Sequence, residues 1–166
     1  MAVVNTKSDA VTNRDAIPLV LSNPSASTGV LQESSGAVSL VSGDSIASIY
    51  RMISVPTNAR ISSLKLSVTA VTTCAADIGV YRVTAADGTA GAVVDADFFA
   101  SAQSLATLLI NSDMLNESTT NTPLKQNQPL WQALGVDATD PGGYYDICVT
   151  LTAAAGSAGT MALKAS

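Results

Sequence analysis

Leu64-Lys65-Leu66-Ser67-Val68-Thr69-Ala70 places an apolar side chain at every second position. A period of two belongs to a strand with one buried and one wet face, whereas a helix repeats every 3.6 residues. The stretch lies within a longer run, Arg60 to Val83, that alternates for much of its length. Arg60 to Val71 therefore reads as the clearest strand in the chain.

Shorter runs of the same kind occur on either side. Ala37 to Val41 is a short strand, closed by the turn cluster Ser42-Gly43-Asp44. Ile46 to Val55 follows and stops at Pro56-Thr57-Asn58. Ile78 to Val83 leads into Ala86-Asp87-Gly88-Thr89, whose Asp-Gly pair marks a hairpin turn. Val93 to Ala100 is a weaker run with Asp95 and Asp97 on one face. Ser104 to Ile110 fits a strand or a single helical turn equally well. Gln128 to Gly135 reads as a short helix near 129–134, with Pro129 in its first turn, Gly135 at its end, and Trp131 and Leu134 facing the core together. Pro141-Gly142-Gly143 is a sharp loop. Tyr145 to Leu151 alternates again, Gly156 to Gly159 turns, and Thr160 to Lys164 closes as a last strand. Seven or eight short strands divided by turn signals predict an all-β sandwich, a class that includes jelly rolls. There is no internal repeat.

The chain has 166 residues, enough for one domain with a substantial core. The first 31 residues are not patterned as a core element. Pro18 and Pro24 interrupt any helix there, and Asn, Ser and Thr are abundant. Val3, Val4, Ile17, Leu19 and Leu21 are apolar anchors in this segment and are too greasy for a free tail. The expected organisation is an N-terminal arm or edge strand over 1–31 and a single sandwich domain over 32–166. The five anchors are the candidate contact residues of the arm, on a neighbouring subunit.

Charged residues make up 13% of the chain, against about 25% in an ordinary soluble domain. The surface is correspondingly mild, and a surface of that kind loses little on being desolvated. The net charge is −5. Lys7, Arg14, Arg51, Arg60, Lys65, Arg82, Lys125 and Lys164 include no adjacent pair. Phosphate recognition needs clustered cations, so no nucleic-acid role is expected. No apolar run approaches the roughly 18 residues of a membrane span, and no membrane association is expected. Met1 to Lys7 lacks the basic head and apolar core of a signal peptide, which predicts synthesis and folding in a cytoplasm. Cys74 and Cys148 are far apart and lack metal-type spacing. They read as small buried side chains in preference to a disulfide.

Chemistry finds little to work with. The chain has no histidine, the commonest general base and metal ligand. Ser62-Ser63-Leu64-Lys65 matches a Ser-x-x-Lys spacing, but on a strand a separation of three puts the two side chains on opposite faces. Asp95 and Asp97, and likewise Asp137 and Asp140, lack the further oxygens and spacing of a calcium loop and read as solvated turn residues. Asn116-Glu117-Ser118 is a formal glycosylation triplet, idle without a secretory route. Tyr50, Tyr81, Tyr144, Tyr145 and Phe98 are too scattered for a base-stacking platform and read as core or interface packing. The expectation is a non-enzyme with no catalytic residue, no cofactor and no metal site.

Several segments, taken in order, resemble a family of small tailed-bacteriophage virion proteins. They are Val3-Val4-Asn5-Thr6-Lys7-Ser8, Thr12 to Ala16, Ser42 to Ile46, Val55 to Arg60, Ala75 to Tyr81, Val94 to Phe99, Pro129 to Gly135 and Leu151 to Thr160. The family is that of the capsid cement, or decoration, proteins of podovirus-type phages. The resemblance implies a jelly-roll-like β domain bound to the outer surface of an icosahedral head. There it would bridge copies of the major capsid protein and stabilise the shell. It implies self-association, as a homodimer with a trimer as the variant, and a place on the virion after synthesis in the host bacterial cytoplasm. It carries over no catalytic residue. A tail or head-fibre adhesin that binds host glycans through a loop such as Asp140 to Tyr145 is the alternative function. A carboxylate enzyme at Asp95 and Asp97 is the third.

Overall fold

The computed structural model of the chain describes residues 17–18, 31–86 and 90–166. The chain divides at Gln32/Glu33, and the unit that begins at Glu33 carries all the regular structure described here. Its strands are β1 (Ser34–Leu40), β2 (Ile49–Pro56), β3 (Leu64–Val68), β4 (Ala75–Arg82), β5 (Val93–Ser104), β6 (Leu109–Asp113), β7 (Tyr144–Ala153) and β8 (Gly159–Ala165). A 3-10 turn (Lys125–Asn127) and a short helix, α1 (Leu130–Leu134), lie between β6 and β7.

The strands form two four-stranded sheets, ordered β1-β8-β3-β6 and β2-β7-β4-β5. All pairings are antiparallel. β1 pairs with β8, β2 with β7, β3 with β6 and β4 with β5. The β3–β8 and β4–β7 pairings complete each sheet. The unit that begins at Glu33 is thus an all-β sandwich whose strands double back like one long hairpin.

The period-two pattern becomes the core. Leu64, Leu66 and Val68 point inward from β3, beside Met161 and Leu163 of β8. Ile78 and Val80 of β4, with Ile147, Val149 and Leu151 of β7, face them from the other sheet. Each such side chain contributes about 1.5–3 kcal/mol by leaving water. Phe98 and Phe99 close one side of the core, edge to face at 4.9 Å. Of the tyrosines, Tyr81 and Tyr145 are buried, Tyr50 is half-buried and Tyr144 is exposed.

Some boundaries differ from the sequence pattern, for identifiable reasons. The strand expected over Arg60 to Val71 is only Leu64–Val68. Before it, the Ser62 and Ser63 amides both turn to the Ser166 carbonyl, and a register shift interrupts the β3–β6 ladder between Leu66 and Val68. Residues 46–48 are not yet strand, because Ser48 closes a turn onto Ser45 and Ala47 takes a positive φ of 69°. Ser104 to Ile110 is neither a single strand nor a helical turn. It is the end of β5, a crossing loop anchored by buried Leu105, and the start of β6. The predicted turn at Asp87-Gly88-Thr89 lies outside the described residues; the strands on either side of it pair as a hairpin.

The helix forms where expected, with Pro129 as its N-cap and Gly135 in the left-handed region at its end. The Gly135 amide donates to the Trp131 carbonyl at 3.3 Å, which ends the helix. Its inward face is wider than expected. Leu130 and Ala133 are buried, and Trp131 and Leu134 lie half-buried at the margin. The Leu130 amide donates to Ala59 O at 2.8 Å and the Trp131 amide to Thr57 O at 3.0 Å. Those two bonds satisfy amides that a helix start leaves free, and they fix the rotation of α1.

Candidate functional site

The pairing sorts the connections into two groups. Loops 41–48, 69–74, 105–108 and 154–158 gather at one end of the sandwich. Loops 57–63, 83–92 and 114–143 gather at the other.

The second end is charged and polar. Arg82 Nη2 donates to both carboxylate oxygens of Asp137, at 3.0 and 2.8 Å, and its guanidinium lies 5.4 Å from the Tyr145 ring. Tyr145 Oη also donates to Asp137, at 3.0 Å. The bonds from Arg82 and then Tyr145 hold the Asp137 carboxyl below the usual carboxylate range. Nearby, Arg51 pairs with Asp146 at 2.7 Å, and donates to the carbonyls of Arg82 and Gly91 at 2.9 and 2.8 Å. These two arginines bind loops to strands. Their donors are aimed at the protein itself.

Asp140 to Tyr145, the candidate glycan loop, is only partly open. Asp140 Oδ1 accepts from Thr57 Oγ1 at 2.6 Å and from the Gly142 amide at 2.9 Å. Tyr145 is the first inward residue of β7, because Gly142 and Gly143, both at positive φ, reverse the chain just before it. Tyr144 is the exposed aromatic of the loop.

The structure brings Asp95 and Asp97 together on β5. Both are half-buried, and the Asp97 amide donates to Asp95 Oδ1 at 3.3 Å. Burial first, and then the neighbouring Asp97, push the Asp95 carboxyl up. Among the described residues, no three His, Cys, Asp or Glu side chains converge as a metal site. Beside the pair, a small cleft is lined by Phe98, Phe99, Ile61, Lys125 and Gln128. An Asp whose folded pKa is raised weakens the fold when it is charged. The loss is full above the folded pKa and vanishes as pH falls to the unfolded value near about 3.9. Asp95→Asn is therefore expected to stabilise the fold modestly at pH 7, since solvent screens a half-buried carboxylate. The gain should disappear near about pH 3. Thermal melts at the two pH values check this, and a loss of stability at neutral pH contradicts it.

Other sequence candidates separate. Ser62 precedes β3 and donates to the Ser166 carbonyl at 2.9 Å, while Lys65 points outward from the strand beside Asp113 and Lys164. They form no nucleophile–base pair. Cys74 and Cys148 are both buried and free. Burial pushes the Cys148 thiol up to about 12. Ala75 pairs with Ala153, and Gly79 with Cys148. At about 3.3 Å per residue the two thiols sit on the order of 15 Å apart, beyond disulfide reach. Of the arm residues, Ile17 is described and exposed. Val3, Val4, Leu19 and Leu21 lie outside the described residues.

The first end was not picked out from the sequence. Its four loops contain one charged residue, Asp44. The Asp44 carboxylate is already engaged, accepting from the Val41 amide at 2.8 Å and from Tyr50 Oη at 2.5 Å. Val41, Ile46 and Leu108 project from the loops with 62%, 63% and 62% of their surface exposed, and Ile49 and Ile110 flank them. Backbone hydrogen bonds join the loops in series. Gly43 donates to Ala155 O at 2.8 Å, Gly156 to Thr72 O at 2.8 Å and Val71 to Leu105 O at 2.9 Å. The result is a tied, nearly uncharged platform with apolar side chains on top.

Comparison with protein-family models, with curated proteins and with solved structures found no match.

Proposed function

We propose that this chain is a structural virion protein, a cement protein that binds the outer surface of a phage head and bridges subunits of the major capsid protein. The observation that carries this reading is the strand pairing. First with last, second with seventh, third with sixth and fourth with fifth is a pairing compatible with a jelly roll, an architecture common among viral capsid and lectin domains. The ordered resemblance of eight segments to podovirus-type decoration proteins supports it. So does the scarcity of charge, which lowers the cost of covering protein surface.

The mechanism is additive burial. A standard contact covers about 1,600 Å², and two linked copies hold by avidity even where each contact is weak. Repetition over a shell then resists internal pressure. In this reading the segment 1–31, through Val3, Val4, Ile17, Leu19 and Leu21, supplies part of the contact.

Co-sedimentation with purified expanded shells tests both parts. The full chain is expected in the pellet. A chain lacking about the first twenty residues is expected to stay in the supernatant while melting as the full chain does. Failure of the full chain to pellet removes the cement reading, and equal pelleting of both removes the arm. The lectin use of the same architecture, with Tyr144 exposed beside Asp140, keeps a glycan-binding adhesin as the second reading. A glycan array with a Tyr144→Ala control tests it.

A further inference from the structure

We propose that the nearly uncharged end of the sandwich, made by loops 41–48, 69–74, 105–108 and 154–158, is the face through which two copies of this chain associate, end to end about a twofold axis. The proposal takes from the preceding section only that copies associate, and its primary test is the oligomeric state of the chain by itself.

Charge selects the partner. The chain carries a net charge of −5, so most ways of bringing two copies together set like charges against each other. The described charged residues other than Asp44 lie before β1, on the strands, or in the loops of the opposite end. Among the described residues Asp44 is the one charge at this end, and its carboxylate is occupied by Val41 and Tyr50. A twofold contact brings a patch against itself and so requires self-complementarity. Ala, Ser, Thr and aliphatic side chains meet that requirement, because none of them repels its own kind.

Rigidity favours the same face. The backbone bonds that join the four loops leave few amides needing water and little motion to freeze on contact, which lowers the cost of association. The area is adequate but small. Four strands about 4.8 Å apart in two sheets about 10 Å apart give an end of about 500 Å² with side chains included. Two such ends cover about 1,000 Å², the lower limit of a specific interface. The dimer is accordingly expected to be concentration-dependent, with a dissociation constant of micromolar order.

Sedimentation velocity of the full chain across a concentration series tests the proposal. The wild type is expected to pass from monomer to dimer. Ile46→Asp with Leu108→Asp should stay monomeric at every concentration, with an unchanged melting curve since both positions are exposed. Leu124→Asp, on an exposed leucine of the opposite end, should dimerise as the wild type does. Hydrogen exchange of the wild type alone gives an independent reading: residues 41–48 and 105–108 should gain protection as concentration rises. A wild type that stays monomeric overturns the proposal, as does a dimer that persists in the Asp double variant. If the monomeric wild type binds shells and the Asp double variant does not, the face belongs to the shell contact and the dimer proposal is likewise overturned.

Discussion

Gly79→Ala is expected to abolish the native fold under conditions where the parent chain is stable. A Cβ at this position would sit 2.2 Å from the Ala96 carbonyl carbon and 2.2 Å from the Asp95 carbonyl oxygen. Both are backbone atoms, so no rotamer change relieves the overlap. The cause is the register of β5. Ile78 pairs with Ala100 and Val80 with Asp95, so β5 advances five residues while β4 advances two. The surplus folds over Gly79 and carries Phe98 and Phe99 into the core. Making room for one methyl group means dismantling that bulge. The expected cost exceeds about 3 kcal/mol, a large share of the 5–15 kcal/mol typical of a whole domain. Urea titration followed by tryptophan fluorescence measures it, with Ser39→Ala on the outer face of β1 as a near-neutral control. A midpoint shift as small as the control's would refute the argument.

Leu163→Ala carries the next largest expected effect, about 3–5 kcal/mol. Leu163 is fully buried on β8, beside Leu66 on one side and Gly36 on the other. How much a deletion costs depends on whether neighbours can fill the space. Gly36 has no side chain to offer, and none can be added there, because its Cβ would lie 1.9 Å from the Met52 carbonyl oxygen. The cavity therefore persists. Leu163→Met conserves volume and should cost less than about 1.5 kcal/mol. Equal losses for the two variants would mean that the site collapses freely.

The local elements were legible because the forces that make them are local. Alternation at Leu64 to Ala70 marked a half-buried strand, and the Pro129–Gly135 bracket marked the helix. The deeper burial of Leu130 and Ala133 on α1 was not legible, since the rotation of the helix is set by amide bonds to Ala59 and Thr57, some seventy residues earlier in the chain. The weak pattern at Val93 to Ala100 has the same kind of origin: a bulge that wraps a glycine on another strand suspends the period of two. The spacing of Asp95 and Asp97 put them on one face but suggested solvated turn residues, whereas both stand half-buried on β5; the inward turn of Tyr145 was not legible either. Composition announced a low charge content but not its location. Only the strand order brings together four loops drawn from across the domain, with Asp44 as their one charged residue.

The place of β8 between β1 and β3 bears on how the molecule is made. The sheet that β1 begins has no centre until the ribosome has delivered β8, more than a hundred residues later. β1 and β3 must wait, each with an edge open to stray strands. Nascent chains stalled before Gly159 should be sticky and protease-sensitive, and chains that have cleared it should not. Slow, late closure of this kind is the kinetic signature of long-range pairing, and it makes the last strand, not the first, the step that commits each copy to its mature form.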